Sequence, residues 1–173
     1  MQWDIVCFSE TRAPEADIIL DGGHRLISGL GDSRHLGVAV LLHSHLADQV
    51  SRIHISSDRV ITIDLTAHGV DFKIISVYAP HCGYSRAALD HFYSEVHCQI
   101  QGARSSNRYI IVGGDFNTQM RAGWRSDVLK AFVAEHGLDI LSDRPDLPWS
   151  QRWTFESSLG HRRQLDYIIA DID

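Results

Sequence analysis

Several polar residues stand where apolar segments of strand length end, or inside such a segment. They are Glu10 after residues 3–9, Tyr78 at the end of residues 72–78, Asp115 and Asn117 after residues 109–112, and Asp166 inside residues 164–170. A Gly-Gly pair before Asp115 lets the backbone turn sharply, so that Asp115 and Asn117 can point into one cleft. Carboxylate and amide oxygens are the ligands that Mg²⁺ prefers, and such a set can orient a water for in-line attack on a phosphate. The residue types therefore indicate metal-assisted hydrolysis of a phosphodiester or a phosphomonoester.

Each of these residues also has an ordinary structural interpretation. A lone Glu after a strand is often a solvated turn residue, Tyr78 could be a half-buried aromatic, and Gly-Gly-Asp-Phe-Asn could be an Asx-type turn. Asp166 is harder to explain in this way, because a carboxylate inside an apolar strand costs several kcal/mol unless it is paired. The sequence thus implies a partner for Asp166, either in a functional site or as a structural pair with an Arg or a backbone amide.

The elements that would position these residues are mostly strands linked by turns. The predicted strands are 3–9, 24–29, 36–43, 50–55, 59–66, 72–78, 109–112, 138–141, 152–155 and 164–170. One helix is predicted over the apolar positions from Ala88 to Ile100, with Ser85 as its cap, and a second from Ser126 to a stop at Gly137. Because turns rather than helices link the first strands, we expect an α+β fold with two packed, mainly antiparallel sheets flanked by helices. No repeat or linker divides the chain, so one domain is expected over residues 1–173.

Four short motifs occur in a fixed order along the chain. They are Ser9-Glu10-Thr11, Ser76-Val77-Tyr78-Ala79-Pro80, Gly114-Asp115-Phe116-Asn117 and Leu165-Asp166-Tyr167-Ile168. In this order and on these elements they resemble the endonuclease/exonuclease/phosphatase superfamily, and most of all the apurinic-endonuclease-like domains of non-LTR retrotransposons. The resemblance covers nearly the whole chain and implies a four-layer α/β sandwich, which agrees with the two packed sheets expected above.

The resemblance also implies a role for each matching residue. Glu10 would be the principal metal-binding carboxylate, with Mg²⁺ or Mn²⁺ as the cofactor. Asp115 would orient or deprotonate the attacking water, and Asn117 would bind the scissile phosphate. Tyr78 would donate a hydrogen bond to that phosphate or stabilise the leaving side. Asp166 would hold a catalytic histidine in its tautomer and orientation.

The chain differs from the family pattern at both ends. The family carries an Asn on a strand before the Glu-bearing strand, whereas this chain begins at Met1. The family also ends with a Ser-Asp-His motif on a later strand, whereas this chain ends at Asp173. We therefore expect an incomplete domain that lacks the first strand and the C-terminal Ser-Asp-His strand and that is weakly active or inactive. His81 and His161 lie near motifs, but neither matches the position of the family's histidine.

Charge and composition set limits on the kind of partner. The 173 residues are 44% hydrophobic and 22% charged with a formal net charge of −6 at pH 7, which argues against a disordered tail or a generally basic nucleic-acid binder. Two windows are nevertheless rich in arginine: Arg104, Arg108, Arg121 and Arg125, and then Arg144, Arg152, Arg162 and Arg163. Arg121, Arg162 and Arg163 are candidates for salt-dependent contacts with DNA phosphates, and Thr154 matches a family position near the site. Scattered, solvated arginines would give the same pattern.

Cysteines and hydropathy exclude further classes of site. Cys7, Cys82 and Cys98 form no close pair in the sequence, so we expect neither a disulfide framework nor a thiolate zinc site. We expect instead that the protein resides in a reducing intracellular compartment. That compartment would be the nucleus for a domain derived from a retroelement. No apolar run reaches 18 residues, so no membrane span is expected. His43-Ser44-His45 has the His-x-His form of a pair of metal ligands, but no third ligand follows at a spacing typical of a zinc site.

Three functions remain open from the sequence. The first is a Mg²⁺-dependent DNA endonuclease of retroelement type, which is favoured because Phe116 and the short Asn117-Thr118 turn resemble the loop of retroelement domains. The second is a phosphoesterase on the same scaffold that acts on another phosphoester, such as an inositol phosphate, sphingomyelin or an RNA tail. The third is a pseudo-enzyme without catalysis.

Overall fold

The fold was analysed in a computed structural model that describes residues 3–31, 36–121, 123–143 and 146–171, so Arg144 lies outside the described residues. The strands are β1 (Ile5–Ser9), β2 (Ala16–Ile19), β3 (Arg25–Ser28), β4 (Val38–Leu42), β5 (Val50–Ile55), β6 (Val60–Ala67), β7 (Val70–Tyr78), β8 (Tyr109–Asp115), β9 (Asp139–Ile140), β10 (Phe155–Glu156), β11 (Arg162–Arg163) and β12 (Asp166–Ala170). The helices are α1 (Ser44–Ala47), α2 (Arg86–Ser105), α3 (Trp124–Glu135) and α4 (Trp149–Arg152).

Two sheets form the body of the protein. A four-stranded sheet has the order β1-β4-β3-β2 and is antiparallel throughout. A six-stranded sheet has the order β5-β6-β7-β8-β12-β9, in which β7 and β8 are parallel and the other pairs antiparallel. Strands β10 and β11 form a separate hairpin. The predicted α+β fold with two mainly antiparallel sheets is confirmed.

The two sheets pack face to face, and the two long helices cover the outer face of the larger sheet. Between the sheets, Ile27 and Val40 of the small sheet meet Ile63 and Ile74 of the large one, all at most 1% exposed. On the other side, the apolar face of α2 packs with that of α3 against β7, β8 and β12. Burial of each such side chain contributes about 1.5–3 kcal/mol relative to exposure, so the layers hold the strand ends in fixed positions.

Helix α2 follows its predicted pattern closely. The hydroxyl of Ser85 accepts a hydrogen bond from the backbone N–H of Ala88 at 3.2 Å, which caps the first turn as expected. Most side chains predicted to face inward are buried, among them Leu89, Phe92 and Ile100, whereas Ala88 is half-buried. The helix ends at Ser105, somewhat beyond the last apolar residue of the pattern.

Helix α3 begins earlier than the sequence predicts. Its N-cap is Gly123, and Ser126 lies buried in the first turn instead of capping it. The predicted stop at Gly137 is confirmed. Gly137 adopts φ +62°, and the N–H of Leu138 donates to the carbonyl of Val133 at 3.1 Å, which closes the helix with a Schellman motif.

Three other predictions about elements were wrong or incomplete. The predicted strand 152–155 is instead the end of α4 followed by the two-residue strand β10. Strand β2 was not predicted, because its exposed apolar residues do not alternate as those of a half-buried strand do. The predicted strand 138–141 is reduced to Asp139–Ile140.

Two further observations bear on the predicted classes of protein. None of the helices in the described part of the chain is long and apolar enough to cross a membrane. Cys7, Cys82 and Cys98 are all free thiols. Burial raises the pKa of the Cys7 thiol to about 11, so this cysteine packs in the core as an inert side chain.

Candidate active site

Three of the predicted site residues lie in one row across the six-stranded sheet. The parallel pair β7–β8 places Tyr78 opposite Asp115, and the antiparallel pair β8–β12 places Asp115 opposite Asp166. Neighbouring strands are about 4.8 Å apart, so the three side chains leave the sheet at the same edge and at adjacent positions. The register of the sheet thus brings together residues that the sequence separates widely.

Glu10 reaches the same place from the other sheet. It follows directly after β1, which packs against β7 and β8. The hydroxyl of Tyr78 donates a hydrogen bond to Oε1 of Glu10 at 2.5 Å, which joins the two sheets. Glu10 has φ +53°, a conformation that costs a non-glycine residue roughly 1–2 kcal/mol. Strain of this kind collects at functional sites, where the surrounding structure holds it in place.

Asp115 and Asn117 form a tight loop after β8. The backbone N–H of Asn117 donates to Oδ1 of Asp115 at 2.7 Å, and Asn117 itself has φ +48°. The side-chain amide of Asn117 donates to the carbonyl of Ala79 at 2.8 Å, which ties the loop to the end of β7. One N–H of that amide remains for a ligand, because the group has two donors. The Asx-type turn considered from the sequence is therefore present, and it also positions both side chains.

The two glycines before Asp115 serve a different purpose from the predicted turn. Both lie inside β8. A Cβ on Gly114 would lie 2.1 Å from the carbonyl oxygen of Val77, and Gly114 has φ +142°. A Cβ on Gly113 would lie 3.0 Å from Sγ of Cys7 in the facing sheet. The glycines are needed because the backbones of β7 and β8, and the two sheets, approach closely beside the site.

The environment of Asp115 raises the pKa of its carboxyl group. Burial raises its pKa to about 7, against the opposing effect of the Asn117 N–H, and the nearby carboxylates of Asp166 and Glu10 raise it further. A carboxyl group with this pKa exchanges its proton near neutral pH, which suits a general base. The carboxylates of Glu10 and Asp166 place negative charge beside Asp115, and a bound cation would stabilise that charge.

Tyr78 remains protonated over the physiological range. Burial and the Glu10 carboxylate raise the pKa of its phenol well above the usual value. It can therefore act as a hydrogen-bond donor but not as a base. Arg59 holds the backbone here: its Nη1 donates to the carbonyl of Tyr78 at 3.1 Å, and its guanidinium lies over the rings of Tyr78 and Tyr84 at 5.2 and 4.9 Å.

The partner that the sequence implied for Asp166 is not a cation of the described chain. Asp166 begins β12 and is half-buried, not fully enclosed within the strand. No described arginine, lysine or histidine lies within 4.0 Å of its carboxylate, and its neighbour in the sheet is Asp115. The hydroxyl of Thr154 accepts hydrogen bonds from the backbone N–H groups of Leu165 and Asp166 at 3.0 and 3.1 Å. Thr154 therefore holds the start of β12 in place.

The arginine candidates have separate positions. Arg121 lies over the ring of Trp149 at 5.9 Å and lines a surface pocket together with Asn117. Arg162 and Arg163 form β11 and are exposed; Arg162 pairs with Glu156 at 2.9 Å and lies over Trp153 at 4.4 Å. Other arginines of the two windows have structural partners: Arg104 with Asp171, Arg108 with Asp64, and Arg152 with Asp143.

Sequence reasoning missed two cations close to the site. One is Arg59, described above. The other is Arg125 of α3, which donates to the carbonyl of Pro80, stacks on Trp124 and lines the pocket beside Asn117. Arg125 stood in an arginine-rich window but was not singled out, and Arg59 precedes a strand without any distinguishing motif. Only the three-dimensional structure brings these residues to the segment 78–80.

The cluster of Glu10, Asp115 and Asp166 fits a hard divalent cation. Its donors are carboxylate oxygens, the type that Mg²⁺ and Mn²⁺ prefer. Burial raises the pKa of Asp115 most, and the carboxylates of Asp166 and Glu10 raise it further, so a cation bound among the three would offset their mutual repulsion. The three carboxylates do not lie within 4.8 Å of one another. Among the described residues, a group of three ligand atoms that close together occurs elsewhere in the fold.

Comparison with known proteins is consistent with this geometry. The chain matches the Endonuclease/Exonuclease/phosphatase family over residues 1–171. Its fold is similar to the catalytic domain of APE2 from Xenopus laevis, with a TM-score of 0.74 and 15% identity over 97% of this chain and 74% of that one. It is similar to a 3′ phosphatase from Neisseria bound to product DNA hairpin, with a TM-score of 0.72 and 16% identity over 97% and 76%.

A third similar structure is the endonuclease domain of TRAS1, a telomere-specific non-LTR retrotransposon. Its TM-score is 0.65, with 15% identity over 86% of this chain and 67% of that one. A search of curated proteins gives no match. At these identities the solved structures establish the fold, and the expected α+β sandwich of two packed sheets with helices is confirmed.

Proposed function

This chain belongs to the endonuclease/exonuclease/phosphatase family, and on that premise we propose that its site hydrolyses phosphodiester bonds in DNA with Mg²⁺ or Mn²⁺. One observation carries the proposal. Tyr78, Asp115 and Asp166 form a row across three adjacent strands, and Glu10 from the facing sheet contacts the first of them. A row of carboxylates beside a protonated phenol suits the binding and attack of a phosphate.

Each side chain has a role that its surroundings support. Glu10, with Asp115 and Asp166 nearby, would hold the cation, which supplies positive charge for the phosphate oxygens and for the developing negative charge. Asp115 would accept the proton of the attacking water, because its carboxylate lies in the row between Tyr78 and Asp166, and a cation beside it would favour the ionised form that acts as a base.

The second amide N–H of Asn117, which bonds to none of the described residues, would donate to a phosphate oxygen. The phenol of Tyr78 has one O–H, which donates to Glu10 in this structure, and it would turn to the phosphate or the leaving oxygen once Glu10 binds the cation. Asp166 is proposed to orient a histidine. Among the described histidines, His45 contacts a carboxylate at 3.3 Å, and that carboxylate is Asp4, away from this site.

We propose DNA as the substrate and cleavage of the type that retroelement endonucleases perform. Support comes from the TRAS1 endonuclease domain and the Neisseria phosphatase bound to a DNA hairpin among the similar structures. Arg162 and Arg163 on the exposed hairpin and Arg121 beside the pocket are proposed to contact DNA phosphates. Their positive charge would attract DNA locally although the net charge of the chain is −6.

The proposal is tested by cleavage of supercoiled plasmid and of a duplex with one abasic site, each with Mg²⁺ and with EDTA. We expect slow cleavage that requires Mg²⁺, in keeping with a weakly active domain. Asp115→Ala should lower its rate by at least about 100-fold, since general bases contribute about 10²–10⁴. Glu10→Gln should raise the Mg²⁺ concentration that is required. Asp21→Asn, in the exposed turn between β2 and β3, is the matched control and should behave as the wild type.

Two results would contradict the proposal. Cleavage that survives Asp115→Ala comes from another site or a contaminant. Cleavage of inositol phosphates, sphingomyelin or RNA tails in place of DNA, with the same dependence on Asp115, would leave the site as assigned and replace its substrate.

A further inference from the structure

A second cluster of potential metal ligands lies on the helical layer, outside the site described above. His97 of α2 faces Glu135 and His136 at the end of α3, and one ligand atom from each of the three residues lies within 4.8 Å of the other two. None of the three belongs to the carboxylate cluster of Glu10 and Asp115. Within the described residues, no other group of three such side chains converges to this extent.

The geometry of the two imidazoles suits a tetrahedral ion. Nδ1 of His97 lies 3.3 Å from Nε2 of His136. Two nitrogen ligands at Zn–N distances of 2.0–2.1 Å and a tetrahedral angle are roughly 3.3–3.4 Å apart. The nitrogen atoms therefore already have the separation that a shared Zn²⁺ needs. Without an ion, the same pair forms a single hydrogen bond whose direction depends on the tautomer.

The end of α3 holds its two ligands in place. The Schellman motif at Gly137 fixes His136 at the C-cap, and Nη2 of Arg104 donates to the His136 carbonyl at 3.1 Å. The His136 ring packs against Phe132 with 4.6 Å between ring centroids and is buried. The C-terminal end of a helix favours a cation, and Asp171 pairs with Arg104 at 2.6 Å, which offsets its charge. Glu135 is exposed, and one of its carboxylate oxygens lies within 4.8 Å of both imidazole nitrogens.

From this arrangement we propose that His97, Glu135 and His136 bind a Zn²⁺-type transition-metal ion that links α2 to α3. Two imidazoles and one carboxylate favour Zn²⁺ over Mg²⁺, because Mg²⁺ prefers oxygen ligands alone. The fourth position is left to water. This site is independent of the proposed hydrolysis of DNA, and its ion differs in chemistry from the one that the carboxylate cluster would hold.

The histidine pair noted in the sequence is the weaker candidate. Nδ1 of His43 and Nδ1 of His45 are 2.8 Å apart, and Nε2 of His45 contacts Asp4 at 3.3 Å. Nδ1 of neighbouring His24 already accepts the backbone N–H of Ser44 at 3.1 Å. The donors of this patch therefore bond to one another and to the backbone, and three of them do not converge on one point.

The test is calorimetric titration of the whole chain with Zn²⁺ after chelator treatment, in excess Mg²⁺ so that oxygen sites are filled. We expect one Zn²⁺ per chain, and a rise in melting temperature with the ion. His97→Ala and Glu135→Gln should each weaken binding by at least about tenfold, since even residues that only support a metal ligand contribute 10–100-fold. His91→Ala, an exposed histidine on the same helix, should bind as the wild type.

The design separates binding from folding and from the proposed active site. Glu135 is exposed, so Glu135→Gln tests the site even if His97→Ala alters the helix contact. Asp115→Asn should leave Zn²⁺ binding unchanged. Wild-type affinity in Glu135→Gln and His97→Ala, no Zn²⁺ bound by the wild type, or binding lost instead in His43→Ala with His45→Ala would each overturn the proposal.

Discussion

The buried carboxyl of Asp115 should make the protein less stable as pH rises, and replacing it with Asn should remove that loss. The ordinary pKa of 3.8 applies in the unfolded chain, and the folded value is about 7. Between these values the folded state binds a proton that the unfolded state has released, so the free energy of unfolding falls as pH increases. Below about pH 4 both states are protonated and the loss disappears.

The size of the effect follows from the shift. A change of about three pKa units at 1.36 kcal/mol each gives about 4 kcal/mol as an upper value. Partial access of solvent to the carboxyl lowers this, and we expect about 2–4 kcal/mol. Asn at this position is neutral at every pH and keeps an oxygen to accept the Asn117 N–H. Asp115→Asn should therefore gain about 2–4 kcal/mol relative to the wild type between pH 4 and pH 8.

The assay is urea unfolding of both proteins at a series of pH values, at constant ionic strength and with EDTA to remove divalent ions. With a slope of about 2 kcal/mol per M, the midpoint of Asp115→Asn at pH 8 should exceed that of the wild type by about 1–2 M. Asp21→Asn serves as the control and should show a constant difference. A difference for Asp115→Asn that does not change with pH would refute the reasoning, because the carboxyl would then have no raised pKa.

Three further changes test the positioning of the site. Gly114→Ala should destabilise the protein by about 3 kcal/mol in urea unfolding, since the new Cβ would meet the backbone of β7. The control is Gly102→Ala on α2, whose Cβ would meet nothing within 4 Å and which should be neutral or stabilising. Equal effects of the two changes would contradict the close approach of the β7 and β8 backbones. Arg162→Ala with Arg163→Ala should weaken DNA binding and reduce its dependence on salt, and an unchanged slope of affinity against salt would remove both residues from the interface. Tyr78→Phe should cost about 1–2 kcal/mol of stability, because it removes the hydrogen bond to Glu10, and an unfolding curve equal to that of the wild type would show that this bond does not join the sheets.

Local chemistry explains why some features could be read from the sequence. The Ser85 cap, the apolar face of α2 and the stop at Gly137 each depend on residues only a few positions apart. The four motifs stood out because all four occur in one order and on the expected elements, although each alone has an ordinary interpretation. In contrast, Ser126 was a plausible cap by its residue type, and only the path of the chain places the start of α3 at Gly123.

The sequence by itself determined the α+β class, most strands and the set of polar residues at the proposed site. Only the tertiary structure decided how these residues meet. The strand register places Asp115 between Tyr78 and Asp166. Burial raises the pKa of Asp115 most, and the nearby carboxylates of Asp166 and Glu10 add to this. The packing of α2 on α3 likewise brings His97 to His136, a contact between residues 39 positions apart that no local pattern encodes. Hydrophobic periodicity specifies which face of each element is buried, whereas neighbours across a sheet or between helices are fixed only when the layers pack together.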